Sequence, residues 1–331
     1  MVNVISLARS FGKLVPVGKE VLEKGGHKLF FPPEDYIPLD ENKIITLLKK
    51  FDIEAIVVGS EKITPDILDT LGPHKIVAKH GAGLDNIDIK YATEGNIVVT
   101  FTPEVNVQAV AELTIGLIFS IARKIPMAYS SMKNEDWKCF MGKEVYRKTI
   151  GIIGTGKIGR VVLQKLSGMG VAILVYDIVL SEEISSLPNV RYVNLEELFI
   201  CSDFVTIHVP LTKDTHRMIG EKEFKLMKPS SFLINTSRGG VVDEKILFKF
   251  LSLNKIAGAA IDVWENEPPK SISAKLAKLE NVIPTPHIGA YTEEAIYRMG
   301  YQCAMSIVDF FDGKRPEYLA NPEVWRRYFV H

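Results

Sequence analysis

Short apolar runs rich in valine and isoleucine alternate along this chain with longer stretches whose apolar positions recur every three or four residues. That alternation predicts strands and helices in turn, the arrangement of parallel-sheet α/β units. In the first third the strand-like runs are VNVISLA, HKLFF, AIVVGS, HKIVAKH and NIVVTF. The helix-patterned stretches ENKIITLLKKF and TPDILDTL lie between them. A second block starts at TIGIIGTGKIGR and supplies TIGII, VAILVYD, FVTIHVP, SFLINTS, AGAAIDV and NVIPTP.

Two longer helical patterns frame the second block. TPEVNVQAVAELTIGLIFSIARKI predicts a single helix, with Thr102 as N-cap, Pro103 in the first helical position and Glu104 favourable to the helix dipole. TEEAIYRMGYQCAMSIVDFFDGK predicts another, ended by Gly313. With two connecting helices the C-terminal tail is expected to return to the first domain. The expected division is a first domain of residues 1–101 completed by 291–331, and a second domain of 102–290.

Composition narrows the classes. The chain has 331 residues, enough for two domains, and 40 Lys+Arg balance 40 Asp+Glu. No net field draws it to nucleic acid or an acidic membrane. Cys139, Cys201 and Cys303 are odd in number and far apart, without a C-x-x-C pair, which argues against a disulfide framework or zinc site and for a reducing compartment. The start MVNVISLARSFGK is not patterned as a secretory signal, and AVAELTIGLIFSIA is too short to span a bilayer and carries Glu112. A soluble cytoplasmic protein without a metal is expected.

The first chemistry-bearing motif is GTGKIG, with Gly154, Gly156 and Gly159 in G-x-G-x-x-G spacing. A bare glycine pattern says little, but this one follows an apolar strand and opens a helical pattern. The next strand ends in Asp177, 18 positions after Gly159, completing the dinucleotide fingerprint. Gly154 allows the tight turn, Gly156 lets a pyrophosphate approach the backbone, and Gly159 lets helix and sheet pack closely. The phosphates would sit at the helix N-terminus. Asp177 can accept from ribose hydroxyls but would repel a 2′-phosphate, and no arginine follows it, so NAD is expected over NADP. The fold class is therefore α/β, with two Rossmann-like doubly wound parallel-sheet domains and the active site in the cleft between them.

Three further residues follow strands, where ligands of open α/β sheets bind. FLINTSRGG carries Arg238; AAIDVWENEPP carries Asp262 at a strand end and Glu267 beyond it; NVIPTPHIGA carries His287. Singly each has a plain structural explanation: a cap, a surface ion pair or a solvated acid. Their co-occurrence downstream of a dinucleotide fingerprint favours a site. In the first block, KHGAGLDN follows a strand, and the successive N–H groups of Gly81, Ala82 and Gly83 can form an anion nest.

These motifs, with HVPLTKDTHRMIG, KPSSFLINTSRGGVVDE and TPHIGAYTEEA, make the chain resemble the D-isomer-specific 2-hydroxyacid dehydrogenases over essentially its whole length. KHGAGLDNID and SMKNEDWKCFMGKEV look most like the D-3-phosphoglycerate dehydrogenase branch. The resemblance implies Arg238, Glu267 and His287 as the catalytic trio. His287 would exchange the hydroxyl proton, Glu267 would orient the imidazole, and Arg238 would bind the substrate carboxylate. It further implies cofactor contacts at Gly154, Gly156, Lys157, Ile158, Gly159, Asp177, Val209, Pro210, Thr236, Ser237, Asp262, Gly289 and Ala290, with Ala82 also among them. It places substrate contacts at Lys79, Gly81, Ala82, Gly83 and Arg238. A homodimer is implied, with the helix over 104–125 as a candidate interface.

The sequence departs from the phosphoglycerate branch where a phosphate would be held. Lys79 stands where that branch usually has an arginine, and Gly59 stands at another position commonly arginine. Lys62, Lys138 and Lys143 are possible substitutes. The chain ends at NPEVWRRYFVH, so no appended regulatory domain is expected. The function expected is NAD-dependent hydride transfer at C2 of a D-2-hydroxy acid, D-3-phosphoglycerate dehydrogenase-like. Glyoxylate or hydroxypyruvate reduction is the alternative, and an NAD-sensing corepressor-like binding protein is the alternative of another class.

Overall fold

A computed structural model describes residues 1–329 of the chain. It divides into two compact units, residues 1–106 with 291–331 and residues 107–290. The first connection thus falls at 106/107, where the hydrophobic pattern suggested 101/102; Val330 and His331 lie outside the described residues.

The first unit is built on a five-stranded sheet, all parallel, in the order β2-β1-β3-β4-β5. Its strands are β1 (Asn3–Ser6), β2 (Lys28–Phe30), β3 (Ala55–Val58), β4 (Ile76–Lys79) and β5 (Val98–Thr100). Every residue of β3 and β4 is buried, as expected of strands covered by helices on both faces. Two apolar clusters form, one on each face. One gathers Ile44, Leu47, Ile67 and Leu68; the other gathers Phe11, Leu22, Cys303, Ile307 and Trp325. The helix Glu293–Phe311 supplies much of the second, started by a Thr292 side chain that accepts from the Ala295 N–H.

The second unit carries seven parallel strands in the order β12-β11-β10-β9-β6-β7-β8. They are β6 (Thr149–Ile153), β7 (Ala172–Tyr176), β8 (Val190–Tyr192), β9 (Phe204–Ile207), β10 (Phe232–Asn235), β11 (Gly258–Ile261) and β12 (Val282–Pro284). From β6 the chain winds outward through β7 and β8, then returns to lay β9 to β12 on the other side. β6 therefore stands at the topological switch point where such sheets bind ligands. The sequence pattern missed β8, a three-residue edge strand with no fully buried position.

The stretch expected as a single helix over 102–125 is broken. The helix runs only over Val107–Ala122, Lys124 turns left-handed at φ 52°, and a second helix spans Ile125–Lys133. Pro126 explains the restart: lacking an N–H, it fits the first turn of a new helix better than the interior of an old one. Thr102 caps nothing there; its hydroxyl accepts the Gly81 N–H at 2.9 Å. Among the described residues no helix is long and apolar enough to cross a membrane.

Candidate active site

Arg238, Glu267 and His287 lie in loops that leave the carboxyl ends of β10, β11 and β12. Those strands are consecutive neighbours, so strand order gathers residues that are fifty positions apart in the chain. His287 Nδ1 and Glu267 Oε2 are 2.7 Å apart. The imidazole is 41% exposed and the carboxylate 25%. Burial alone would raise the Glu267 carboxyl. The hydrogen bond and charge of His287, the Trp264 N–H and the charge of Arg238 outweigh it, holding the group below its ordinary value. A carboxylate at Nδ1 fixes the proton there, which leaves Nε2 as the nitrogen for proton exchange.

His287 adopts φ 55°, a left-handed conformation that costs a non-glycine residue about 1–3 kcal/mol. The buried Asp262 over-determines it. The Asp262 carbonyl accepts the His287 N–H at 2.8 Å, Oδ1 accepts from Ile288 N–H at 2.8 Å and the Thr285 hydroxyl at 2.6 Å, and Oδ2 accepts from Gly289 N–H at 2.9 Å. Asp262 thus holds the 285–289 loop with both carboxylate oxygens.

Glu267 is braced from the other side by residues that sequence reasoning passed over. The Trp264 N–H donates to Glu267 Oε1 at 3.1 Å, and its indole N–H donates to the Thr285 carbonyl at 3.1 Å, tying the two loops together. The Glu265 N–H donates to the buried Glu244 at 2.7 Å. Gly239 packs so tightly on the Trp264–Glu265 peptide that a Cβ would enter it. The signal for Trp264 was present, an indole directly before the acidic stretch ENE in AAIDVWENEPP.

Arg238 leads into a 3-10 turn, its Nη1 donating to the Ser237 carbonyl at 2.8 Å and its own carbonyl accepting from Asn235 Nδ2 at 3.0 Å. The Ser237 N–H and hydroxyl both donate to Asn235 Oδ1. Thr236 is buried, its hydroxyl 2.8 Å from that of Thr114.

The glycine turn after β6 fits a dinucleotide. Gly154 sits at φ 93° against His208 and Val209, and a Cβ on Gly159 would strike the Gly154 carbonyl oxygen. Gly156 faces open space, so a phosphate can reach the backbone there, at the start of the helix Lys157–Ser167. Lys157 is exposed on the first helical turn, while Ile158 packs against the core. Asp177 follows β7, with Oδ2 accepting from the Thr155 N–H at 2.5 Å and hydroxyl at 2.8 Å, and Oδ1 accepting from the Val179 N–H at 3.0 Å. Burial would raise this carboxyl, but those bonds hold it below its ordinary value. Pro210, after β9, accepts the Thr215 hydroxyl at 2.6 Å, and Ala290 is half-buried at the end of the His287 loop.

In the first unit the turn after β4 is already partly engaged. Gly81 donates to Thr102 Oγ1, and its carbonyl accepts the Thr102 N–H at 3.0 Å. Lys79 is buried, its ammonium donating to the Gly59 carbonyl and, at 2.7 Å, to Asn86 Oδ1. Lys62 and Lys138 are exposed, and Lys143 donates to the Ser230 carbonyl at 2.7 Å.

Comparison with known proteins finds relatives over most of the chain. Residues 115–289 match the D-isomer specific 2-hydroxyacid dehydrogenase, NAD binding domain. The chain is 39% identical to D-3-phosphoglycerate dehydrogenase of Methanocaldococcus jannaschii, over 86% of this chain and 54% of that one, so it spans about half that relative's length. It is 40% identical to glyoxylate reductase of Thermococcus litoralis, over 85% of this chain and 87% of that one. A solved D-lactate dehydrogenase from Aquifex aeolicus, complexed with NAD and lactic acid, superposes with a TM-score of 0.79 at 29% identity, covering 99% of this chain and 98% of the other.

Proposed function

The chain belongs to the D-isomer specific 2-hydroxyacid dehydrogenase family, and we propose that it is an NAD-dependent oxidoreductase interconverting a small unphosphorylated 2-oxo acid and its D-2-hydroxy acid. The observation that carries this reading is the 2.7 Å His287–Glu267 pair in loops from strands neighbouring the one that leads to Arg238. NAD, when bound on the Gly154–Gly159 turn, supplies the hydride chemistry. His287 donates or accepts the C2 oxygen's proton through Nε2 while Glu267 keeps Nδ1 protonated. Arg238 can pair with a carboxylate by its planar fork, and in the first unit the successive amides of the 81–83 turn can hold one as well.

The phosphoglycerate reading draws on the similarity to the Methanocaldococcus enzyme, but the cation it relies on, Lys79, is bonded to Gly59 and Asn86. That observation favours an unphosphorylated acid such as glyoxylate or hydroxypyruvate.

We also assign a cytoplasmic homodimer that binds no nucleic acid. Eight of the sixteen residues of the helix Val107–Ala122 are buried. The exposed apolar side chains Ile125, Tyr129, Met132, Trp137, Met141 and Tyr146 follow it in the chain and form the better interface. Light scattering on the eluting protein checks the dimer.

His287→Gln tests the catalytic assignment. NADH-dependent reduction of glyoxylate and hydroxypyruvate should fall by about 10²–10⁴-fold while NADH still binds. A folded variant with undiminished turnover refutes it.

A further inference from the structure

We propose that Glu61 is a specificity-determining residue: its carboxylate is a built-in anion that occupies the place a second negative charge on the substrate would need. This deepens the reading above and rests on the 81–83 turn as the place of the substrate carboxylate.

The loop leaving β3 and the end of β4 are closed into one hydrogen-bonded knot. Glu61 Oε2 accepts the Gly59 N–H at 2.8 Å. The Gly59 carbonyl accepts from Lys79 Nζ and, at 3.1 Å, from Asn86 Nδ2. Asn86 also donates to the Glu61 carbonyl at 2.6 Å and accepts from Lys79 at 2.7 Å. β3 and β4 are adjacent and parallel, with Val58 opposite Lys79, so the knot sits at the carboxyl edge of the sheet. It also adjoins the 81–83 turn, because the Lys79 side chain runs 3.5 Å from where a Gly81 Cβ would stand.

An anionic substituent arriving here needs a donor and a cation. The Gly59 N–H is the backbone donor, and Glu61 holds it. Of the cations that act on Glu61, Lys79 is bonded within the knot, leaving Arg9, whose charge Glu61 already answers. Burial holds the Glu61 carboxyl above its ordinary value, against the opposing pull of its own N–H, the Gly59 N–H and the charges of Lys79 and Arg9. A side chain at 59 is obstructed as well, since a Cβ there would lie 3.2 Å from Glu61 Oε2. A neutral hydroxyl, by contrast, can donate to the carboxylate. The filter therefore passes a 3-hydroxy-2-oxo acid and rejects its 3-phosphate.

The test compares hydroxypyruvate with 3-phosphohydroxypyruvate on the NADH complex, by calorimetric Kd and by kcat/KM, in wild type, Glu61→Gln and Glu61→Gln with Arg9→Gln. Wild type should favour hydroxypyruvate at least tenfold. Glu61→Gln should shrink that ratio about tenfold, through KM of the phosphorylated acid. Adding Arg9→Gln should restore most of the discrimination. Wild type that binds the phosphorylated acid more tightly overturns the proposal without any variant. So does a folded Glu61→Gln whose Kd ratio equals that of wild type. Binding of both acids without turnover of either would instead overturn the reaction assigned above, leaving the Kd ratios to decide on Glu61.

Discussion

The two sheets are built alike and finished differently. Both are parallel, both bury β-branched strands on two faces, and both end their strands in glycine-containing turns. In the seven-stranded unit the turn after β6 is fitted atom against atom: Gly159 cannot carry a Cβ, yet Gly156 opens to solvent. In the five-stranded unit the turn after β4 is roomy, with only the Lys79 stem near Gly81, and the charged groups beside it bond to one another. The same kind of scaffold thus carries one turn fixed by backbone contact and another set by a few side chains.

Substitutions at matched positions should separate the two ends. The largest effect is expected at Arg238: Arg238→Gln should lower kcat/KM for a 2-oxo acid about 10²–10³-fold with NADH affinity retained, as seen by steady-state kinetics and fluorescence titration. Next is Gly159→Ala, which forces the helix Lys157–Ser167 off the turn and should cost about 3 kcal/mol in urea unfolding. Gly81→Ala meets only the Lys79 stem at 3.5 Å and suffers mainly from φ 147°, so a loss of about 1–2 kcal/mol is expected. Equal losses at the two glycines would erase the contrast. Gly156→Ala sharpens it, since stability should move by less than about 0.5 kcal/mol. NADH should nonetheless bind about tenfold more weakly, or ~1.4 kcal/mol.

A separate effect is a pH dependence with a different lower limit in each unit. Burial lowers His80 in the first unit from 6.5 to about 4, and His208 in the second to about 3. Unfolded, both bind protons near 6.5; folded, they resist until far lower pH. Their contributions are complete above about pH 6.5 and are lost as pH falls, down to about 4 for His80 and about 3 for His208. Urea midpoints measured from pH 7.5 to 4.5 should decline, and His80→Phe should flatten the part belonging to the first unit.

Much of this was legible in the chain because its causes are local. Strands buried on both faces read as unbroken apolar runs, which is why β3, β9 and β10 are plain in AIVV, FVTI and FLIN. An edge strand such as β8 has no such constraint and left no pattern. The glycine turn and the residues after β10, β11 and β12 were visible because each lies in the loop that leaves its strand.

What stayed hidden depends on long-range partners. Nothing near Asp262 in the sequence tells that its carboxylate closes on the amides of Ile288 and Gly289, or that Trp264 ties Glu267 to Thr285. The break after Ala122 has a local signal in Pro126, whose fixed φ and missing N–H suit the first turn of a new helix.

The most direct test of the account is NADH consumption, followed by absorbance, with glyoxylate, hydroxypyruvate, pyruvate, 2-oxoglutarate and 3-phosphohydroxypyruvate in turn. Substrate-dependent loss of NADH is expected, fastest with a small unphosphorylated acid. Tight NADH binding with no consumption under any of the five would contradict it and point to a sensor of the cofactor instead.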